Sequence, residues 1–438
     1  MGCPKNLVDS EIMLGLLQKH EFEITNEKEQ AEILIVNTCG FIESAKAESI
    51  NTILEMAKCK EGRCELLIVT GCLAERYREE IITQMPEVDA VIGTGNYAEI
   101  ASVIERAYAG EKPVFYGKLD EVDYPANTRV VSTGKGYAYL KIAEGCDNCC
   151  TYCVIPSLRG KYRSRREEDI VREAVSLAQA GVRELIIVAQ DTTRYGLDIY
   201  GKRSLAGLIG KLGEIEGIEW IRLLYCYPEE IDDQLITEIA KNKKVCKYLD
   251  IPIQHISDRI LKAMGRRGRS EDIRNLLAGL KEKIPGIVLR TSLIVGFPGE
   301  DDSDFNELYE FVKELKFDRL GVFSYSKEEN TPAAKMKPQV AKALKQKRNN
   351  AIMALQKEIN VEKNKARMGK VYKTMVEGIS EEDGIFYFGR TYAEAPEIDG
   401  KIYFTSHEPL EFGSFVNVRI LNTDEYDLIG EVVDESSK

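Results

Sequence analysis

Short apolar runs alternate with amphipathic helical stretches along the first 330 residues of this 438-residue chain. Three such runs occur within the first hundred residues, and six more follow between residues 137 and 330. Strands that alternate with helices pair in parallel, because each helix carries the chain back across the sheet and covers one of its faces. The sequence therefore predicts an α/β fold for most of the chain.

The first two segments of the chain differ in their patterning. Residues 1–110 are predicted to form a small N-terminal α/β domain, whereas residues 111–136 carry several prolines and glycines without periodicity and are predicted to form a linker. The strands expected in the first domain cover residues 33–36, 66–69 and 89–92, and its helices cover residues 9–19, 44–58, 75–85 and 99–109.

The rest of the chain divides into a second α/β domain and a β-rich end. Six β/α units in residues 137–330 predict a partial (β/α)6 barrel rather than a doubly wound sheet. In either fold the chemistry lies at the carboxyl ends of the strands. Residues 331–368 are predicted to form a basic helical linker, and the short alternating strands of residues 369–438 predict a small C-terminal β-barrel.

Charge is distributed unevenly over the last hundred residues. Residues 331–370 contain eleven Lys or Arg and two acidic residues, whereas residues 371–438 contain five basic and fifteen acidic residues, a net charge of −10. A domain that binds nucleic acid presents a basic face, so the acidic barrel favours a basic protein partner. Two alternatives stay open: the acidity serves only solubility, or the basic helix contacts RNA or pairs with the barrel.

Composition restricts the chemistry of the eleven cysteines. The chain is 44% hydrophobic and 30% charged, has no apolar run near the ~18 residues of a membrane span, and does not begin like a signal peptide. We therefore expect a cytoplasmic protein without membrane contact, in which thiols stay reduced and bind metal more readily than they form disulfides. The three histidines lie far apart in the sequence, which excludes an HExxH zinc site.

Four of the cysteines fall within the eight residues from Cys146 to Cys153. Cys146, Cys150 and Cys153, called here the compact set, have the spacing CxxxCxxC, which lets three thiolates converge on one iron–sulfur cluster. Such clusters usually take four thiolates, so three leave one iron open. The alternative is structural zinc held by all four thiols, although Cys149 adjoins Cys150 and no second CxxC pair is near. Cys149 is interpreted as a spare thiol.

A second group of cysteines is dispersed but regularly placed. Cys39 and Cys72 each follow a predicted strand directly, with a glycine beside them, and Cys3 lies in the segment Gly-Cys-Pro-Lys-Asn. The ends of parallel strands meet at one edge of a sheet, so these three thiols, called here the dispersed set, are predicted to meet there and hold a second cluster. A buried cysteine beside a strand is otherwise a small hydrophobic residue.

The compact set, with an aromatic residue before its last cysteine, resembles the signature of the radical S-adenosylmethionine (SAM) superfamily. Together with the dispersed set, the partial barrel and the terminal β-barrel, it resembles the methylthiotransferases of that superfamily, which end in a TRAM domain. The resemblance covers essentially the whole chain. It implies two 4Fe-4S clusters, one on each set, and SAM as a further cofactor.

Two branches of that family act on different substrates, one on tRNA adenosines and one on an aspartate of a ribosomal protein. The segments that resemble the second branch are GCPKNLVDSE at 2–11, NTCGFI at 37–42, AQDTTRYG at 189–196, YLDIPIQH at 248–255 and GRTYAEAPEIDG at 389–400. The resemblance implies methylthiolation of an aspartate β-carbon in the small-subunit ribosomal protein twelve, with a reduced electron donor as a second partner. The alternatives are the tRNA activity and a non-catalytic iron–sulfur protein that binds the ribosome.

The same resemblance implies contacts to SAM. Tyr152 is expected to contact the adenine of SAM. The alternative is that its ring only packs against other side chains of the protein. Gln190 and Asp191 end a barrel strand, where they would bind the amino group of SAM. Gly296 and Glu300 belong to a turn whose backbone would approach the nucleoside of SAM. The alternative is that this turn is an ordinary connection from a strand to a helix.

Four further side chains have two interpretations each. His255 would line the substrate pocket or make a structural hydrogen bond. Arg159, Lys161 and Arg163 follow the compact set and would suit a carboxylate substrate, although such charges are ordinarily solvated at the surface.

Overall fold

The structure is a computed structural model that describes residues 2–119, 129–134, 136–380 and 386–433. It contains three units in chain order: a four-stranded sheet, a six-stranded sheet and a closed five-stranded barrel. Part of the predicted linker 111–136 lies outside the described residues, as do the last five residues of the predicted C-terminal barrel. In the described part of the chain, no helix has the length and apolar character needed to cross a membrane.

The N-terminal sheet is fully parallel, in the order β1-β2-β3-β4. Its strands are β1 (Ile33–Thr38), β2 (Leu66–Gly71), β3 (Ala90–Ile92) and β4 (Val114–Phe115), and its helices are α1 (Pro4–Lys19), α2 (Glu43–Ala57), α3 (Cys72–Tyr77), α4 (Glu79–Gln84) and α5 (Ile100–Tyr108). Every residue of β2 is buried, because Leu66 and Ile68 face one helical layer while Leu67 and Val69 face the other. Burial on both faces explains the continuous apolar run.

The central sheet has the order β12-β11-β10-β9-β8-β5, and all of its neighbouring strands are parallel. Its strands are β5 (Tyr137–Lys141), β8 (Glu184–Val188), β9 (Trp220–Leu223), β10 (Val245–Asp250), β11 (Val288–Val295) and β12 (Arg319–Ser324); a short antiparallel pair, β6 (Ala143–Glu144) and β7 (Arg163–Ser164), follows β5. Each strand lies beside the next one in the chain, and β5 and β12 remain at the edges. This is the predicted partial (β/α)6 barrel.

Helices connect these strands and cover the outside of the barrel. They are α6 (Ile155–Arg159), α7 (Glu167–Gln179), α8 (Leu197–Tyr200), α9 (Leu205–Gly213), α10 (Asp233–Lys241), α11 (Asp258–Ala263), α12 (Ser270–Lys283) and α13 (Asp302–Leu315). Two more, α14 (Pro332–Lys335) and the long α15 (Lys342–Lys365), form the basic segment. α15 packs against β12 and α13, so this segment is part of the barrel wall rather than a free linker.

The C-terminal barrel closes in the order β13-β14-β15-β17-β16. Its strands are β13 (Val371–Ser380), β14 (Phe386–Arg390), β15 (Ile402–Thr405), β16 (Phe415–Thr423) and β17 (Leu428–Val432). The alternating pattern predicts four of these strands, over residues 372–378, 386–392, 401–405 and 415–421. It does not predict β17, which pairs with both β15 and β16 and closes the barrel.

The C-terminal barrel docks at the amino ends of the central strands. Arg390 and Arg222 both donate to Glu184, the first residue of β8, at 2.8 and 2.7 Å. Arg319 at the start of β12 donates to Glu394 at 2.8 Å, and the Tyr248 hydroxyl donates to Asp399 at 2.7 Å. The segment 389–400, which carries part of the family resemblance, therefore joins two domains at the end of the barrel opposite the cysteines.

The structure of the N-terminal domain differs from the sequence prediction in three places. The first helix begins at Pro4 rather than Asp9, because proline is favoured in the first turn of a helix. The helix predicted over residues 75–85 is two helices, α3 and α4, separated at Arg78, whose φ is 41°. The fourth strand, β4, lies in the predicted linker and is only two residues long, which is too short for a periodicity signal.

Candidate iron–sulfur site

The compact set lies in the loop between β6 and α6, beyond the carboxyl end of the first barrel strand. The loop curls around its own sulfurs: the Asn148 N–H donates to Sγ of Cys146 and the Ile155 N–H donates to Sγ of Cys153, both at 3.4 Å. The Cys153 N–H donates to the carbonyl of Cys150 at 3.1 Å. The spacing CxxxCxxC thus gives a loop whose own N–H groups donate to two of its three sulfurs.

Gly145 allows this loop to lie against the segment that follows α6. Its φ is +78°, and a Cβ at this position would lie 2.0 Å from the carbonyl oxygen of Lys161. The Cys146 N–H donates to the carbonyl of Gly160 at 3.1 Å. Only glycine combines this backbone conformation with so close an approach.

Side chains from neighbouring strands hold the loop in place. The Asn148 amide donates to Oδ2 of Asp191 at 2.9 Å. The Tyr227 hydroxyl lies 2.9 Å from Sγ of Cys150, and the Arg266 guanidinium stacks over the Tyr227 ring at 3.9 Å from its centroid. Cys150 therefore has a hydroxyl partner whose ring is fixed by a cation.

Cys149 is separated from the compact set. It is exposed, and its Sγ donates to the carbonyl of Asp147 at 3.7 Å, whereas Cys146 and Cys150 are buried and Cys153 is half-buried. A zinc site on all four thiols would need Cys149 to face the other three. The placement agrees with its interpretation as a spare thiol.

The dispersed set comes together at the carboxyl edge of the N-terminal sheet. Cys39 follows β1 and Cys72 follows β2, and these strands pair in register up to Thr38 and Gly71. Cys3 is the residue that precedes α1, where its carbonyl accepts the Leu7 N–H at 3.1 Å. The two strand ends therefore carry Cys39 and Cys72, as the sequence predicts, and the start of α1 carries Cys3.

Asn6 fastens the start of α1 to this edge. Its amide donates to the carbonyl of Thr38 at 2.9 Å, and the Asn37 amide donates to the carbonyl of Asn6 at 2.8 Å. Its Oδ1 lies 3.8 Å from Sγ of Cys72. One side chain thus contacts the segments of all three cysteines, a role that the sequence did not reveal.

Burial disfavours the thiolate form of four of these cysteines, two in each set. It raises the pKa of Cys72 to about 11 and that of Cys146 to about 11, and it raises the pKa of Cys39 and Cys153 as well. The thiols also interact electrostatically within each set: Cys3 and Cys39 act on Cys72, while Cys150 and Cys146 act on Cys153. Metal binding here would release protons.

Helix α6 joins the two sets. Val154 and Leu158 pack against Cys72 in one apolar cluster, and the Thr94 hydroxyl donates to the carbonyl of Leu158 at 2.6 Å. Arg159, at the end of the helix, is only 4% exposed and its Nη2 lies 3.5 Å from Sγ of Cys72. The expectation of surface solvation is wrong for Arg159, because it lies between the two domains.

Comparison with known proteins gives the same division of the chain. Residues 1–93 match an uncharacterised protein family, UPF0004, residues 140–312 match the radical SAM superfamily and residues 368–433 match the TRAM domain. The chain is 65% identical to the ribosomal protein uS12 methylthiotransferase RimO of Acetivibrio thermocellus, over all of this chain and 98% of that protein. The RimO of Clostridium tetani is 52% identical over the same shares.

The chain belongs to the RimO family. Among solved structures it resembles the radical SAM methyltransferase TsrM from Kitasatospora setae with cobalamin and a [4Fe-4S] cluster bound, with a TM-score of 0.56 over 76% of this chain and 74% of that one. At 14% identity this likeness concerns the fold alone. The predicted fold class, a partial radical SAM barrel followed by a TRAM-like β-barrel, is confirmed.

The two side chains expected at the SAM amino group have different surroundings in this RimO-family chain. The Gln190 amide donates to Oε1 of Glu144 at 2.5 Å, while its Oε1 is buried without a hydrogen-bond partner among the described residues. Asp191 accepts from Asn148 and from the Thr193 hydroxyl, at 2.9 and 2.7 Å, so it braces the compact-set loop. Burial raises the pKa of Asp191.

The Gly296–Glu300 turn is held from within. Oε2 of Glu300 accepts the Phe297 N–H at 3.1 Å, and Oε1 accepts from Arg348 at 2.8 Å. A Cβ on Gly296, whose φ is +70°, would lie 2.3 Å from the Lys345 side chain. Tyr152 packs edge-on against Phe297, with ring centroids 6.5 Å apart. These contacts describe a built turn beside Tyr152; their roles toward SAM stay predictions.

The remaining candidates are His255, Lys161 and Arg163. His255 is fully buried, its Nδ1 accepts the Ser257 N–H at 3.0 Å, and burial lowers its pKa to about 3, so the ring is neutral. Lys161 is exposed, and Arg163 donates to the carbonyl of Lys161 at 2.7 Å. The structural interpretation of His255 therefore has direct support.

The donor chemistry of both sets fits iron–sulfur clusters. Each set offers three thiols that are buried or half-buried and lie within electrostatic range of one another. No three His, Cys, Asp or Glu side chains in residues 2–119, 129–134, 136–380 and 386–433 are grouped tightly enough for one metal ion. A four-iron cube is larger than one ion and takes the thiolate ligands that both sets supply. The free Oε1 of Gln190 fits an ammonium group.

Proposed function

We propose that this chain adds a methylthio group to the β-carbon of an aspartate in ribosomal protein uS12. The observation that carries the proposal is the full-length similarity to RimO proteins, in a chain whose two cysteine sets are joined by one short helix. Cytoplasmic location is part of the proposal, because ribosomes are there and thiols stay reduced.

The compact set would hold one 4Fe-4S cluster and the dispersed set the other. When bound, the first would supply the electron for reductive cleavage of SAM to a 5′-deoxyadenosyl radical, and the second would supply the methylthio group. A radical is needed because no side chain deprotonates an unactivated aliphatic C–H near neutral pH. Because each set offers three thiols, one iron of each cluster would have no cysteine ligand from its set.

Side chains around the compact set would orient SAM. Gln190 offers its unpaired carbonyl oxygen to the ammonium group, and Glu144 fixes the orientation of that amide. Tyr152 would present its ring to the adenine, and the backbone at Gly296, with Glu300 holding the turn, would lie along the nucleoside. The protein thus binds and orients the cofactor, whose own chemistry does the rest.

The charge of the C-terminal barrel supports a basic protein substrate, although part of it is neutralised. Glu394 and Asp399 are used in contacts to Arg319 and Tyr248 of the central barrel. Among residues 371–380 and 386–433, which the structure describes, four acidic side chains remain exposed: Glu397, Glu408, Glu411 and Asp424. The basic helix α15 is partly matched, since Lys357 pairs with Glu425. Contact with ribosomal RNA is a secondary part of the proposal.

The substrate is tested by mass spectrometry of uS12 from strains with and without this gene. The proposal predicts an aspartate heavier by about 46 Da, the mass of one SCH3 replacing one H, that is lost in the deletion strain and restored by the gene. Loss of a methylthio group from tRNA adenosines instead, with uS12 unchanged, would assign the chain to the other branch.

Catalysis is tested separately from substrate. Reconstituted protein with SAM and dithionite should form 5′-deoxyadenosine, and the yield should rise with a uS12 peptide that contains the aspartate. A non-catalytic iron–sulfur protein would bind the ribosome and leave SAM intact.

A further inference from the structure

Arg159 is a buried cation at the boundary between the two cysteine sets. It ends α6, six residues after Cys153 of the compact set, yet its Nη2 lies 3.5 Å from Sγ of Cys72 in the dispersed set. The same nitrogen donates to Oδ1 of Asn6. Its side chain is 4% exposed, so water scarcely screens its charge.

Two carboxylates and a lysine form a hydrogen-bonded network with Arg159. Its Nη1 donates to Oδ2 of Asp9 at 2.6 Å and to Oε2 of Glu144 at 3.3 Å, and Lys141 donates to both of these carboxylates. Two positive and two negative groups make this network neutral. The carboxylates of Asp9 and Glu144 therefore balance the cations of this network, including Arg159, which lies next to Cys72. A thiolate at Cys72 would add one negative charge that this network does not balance.

We propose that Arg159 is a positioning residue that sets the reduction potential of the cluster on the dispersed set, by donating a hydrogen bond and a fixed positive charge to Cys72. This inference rests on the two-cluster function proposed above. It assigns Arg159 to the dispersed set although its sequence position follows the compact set.

The direction of the effect follows from charge. Reduction adds one electron to a cluster, and hydrogen bonds and positive charge near its sulfurs stabilise the reduced form. Replacing Arg159 by Met removes both, and it changes the charge of this hydrogen-bonded network from zero to −1. The potential of the dispersed-set cluster should therefore become more negative. Lys at this position keeps the charge and loses the guanidinium fork, so its shift should be smaller and in the same direction.

The test uses full-length protein in which only one set can bind iron. The triple variant Cys146→Ala/Cys150→Ala/Cys153→Ala isolates the dispersed set, and Cys3→Ala/Cys39→Ala/Cys72→Ala isolates the compact set. Each is reconstituted and titrated with dithionite while the reduced cluster is followed by electron paramagnetic resonance. On the first background, Arg159→Met should lower the ratio of reduced to oxidised cluster at least tenfold at the starting midpoint, about 59 mV for a one-electron couple.

Arg129 provides the matched control. It is also a buried arginine that joins α1 to the central barrel, but its hydrogen bonds go to Glu11, Glu173 and the carbonyl of Tyr139. Arg129→Met should cost similar thermal stability and leave the potential unchanged. Arg159→Lys keeps the test valid if Arg159→Met folds poorly.

Two outcomes would overturn the inference alone. One is an unchanged potential in both Arg159 variants on the dispersed-set background. The other is an equal shift of the compact-set cluster, which would make the effect general. If the dispersed-set background binds no iron at all, the two-cluster function fails and this inference fails with it.

Discussion

The compact and dispersed sets present the same number of thiols by opposite means. The compact set occupies one eight-residue loop whose backbone N–H groups bond its own sulfurs. The dispersed set draws on a helix start and two strand ends, which meet only when β1 pairs with β2 and Asn6 bridges to Thr38. A local motif therefore fixes the first set, and the assembled sheet fixes the second.

This difference separates two kinds of vulnerability. A change in the compact loop should affect SAM cleavage and leave the N-terminal sheet intact. A change at the sheet edge should affect the second set while SAM cleavage continues. Variants that lose SAM cleavage without losing the function of the dispersed set, or the reverse, would support this difference between the two sets. Variants that always lose both would contradict it.

The largest expected effect is at Cys150. Cys150→Ala should lower 5′-deoxyadenosine formation at least about 100-fold, since losing a ligand costs more than losing an outer contact of a metal site. The adjacent exposed Cys149 is the matched control, and Cys149→Ala should stay within about twofold. The measurement is chromatographic detection of 5′-deoxyadenosine. Equal losses in both variants would remove the distinction between ligand and spare thiol.

Cys72→Ala should affect a different step. Methylthiolated aspartate should fall at least about 100-fold, while 5′-deoxyadenosine formation stays within about threefold, because the compact loop keeps its own hydrogen bonds. Cys64, a buried cysteine next to β2 whose Sγ donates to the carbonyl of Leu66 at 3.3 Å, is the control. Cys64→Ala should retain both products. Loss of SAM cleavage in Cys72→Ala would show that the sets are not independent.

Two glycines give a matched pair of smaller effects. A Cβ on Gly71 would lie 2.4 Å from the carbonyl oxygen of Thr38, beside the dispersed set, just as a Cβ on Gly145 would meet Lys161 beside the compact set. Either Ala variant should cost about 3–5 kcal/mol and reduce iron binding by its own set only. Gly181 has a φ of +96° with open space around it, so Gly181→Ala should cost about 1–2 kcal/mol.

Thermal and denaturant unfolding of the apo proteins measures these costs, and iron analysis measures the binding. Equal destabilisation in all three variants would mean that backbone conformation alone decides the effect. Iron loss from both sets in either variant would mean that the two regions fold as one unit.

The smallest expected effect is at Tyr227, the neutral counterpart of Arg159. Its hydroxyl lies 2.9 Å from Sγ of Cys150, and a neutral hydrogen bond contributes about 1 kcal/mol. Tyr227→Phe should therefore slow SAM cleavage about fivefold. Tyr195, whose hydroxyl donates to the carbonyl of Arg165 at 3.0 Å, is the control, and Tyr195→Phe should not alter the rate. A larger loss at Tyr195 would point to barrel packing instead.

The comparison also explains what the sequence could predict. The compact loop was predictable because its spacing, Cys146 to Cys153, is local and its hydrogen bonds span a few residues. The edge position of Cys39 and Cys72 followed from the rule that parallel strands end together. The N-terminal start of α1 was missed because Pro4 favours the first turn without adding to the apolar periodicity.

The side chains that contact the two cysteine sets could not be predicted from the sequence. Arg159 lies 87 residues from Cys72 in the sequence and touches it only because α6 packs under the other domain. Asp191 and Glu300 were expected at SAM, and the structure gives both of them internal partners. Polar residues inside apolar strands, such as Lys141, were the one available signal that a buried ionic network exists.

Iron analysis of the two triple cysteine variants tests the central claim, that each set binds its own cluster. The account predicts about eight irons per chain in the reconstituted protein and about four in each variant, Cys146→Ala/Cys150→Ala/Cys153→Ala and Cys3→Ala/Cys39→Ala/Cys72→Ala. It also predicts 5′-deoxyadenosine formation only where the compact set is intact. Loss of all iron in either variant, or full iron in one of them, would contradict the account.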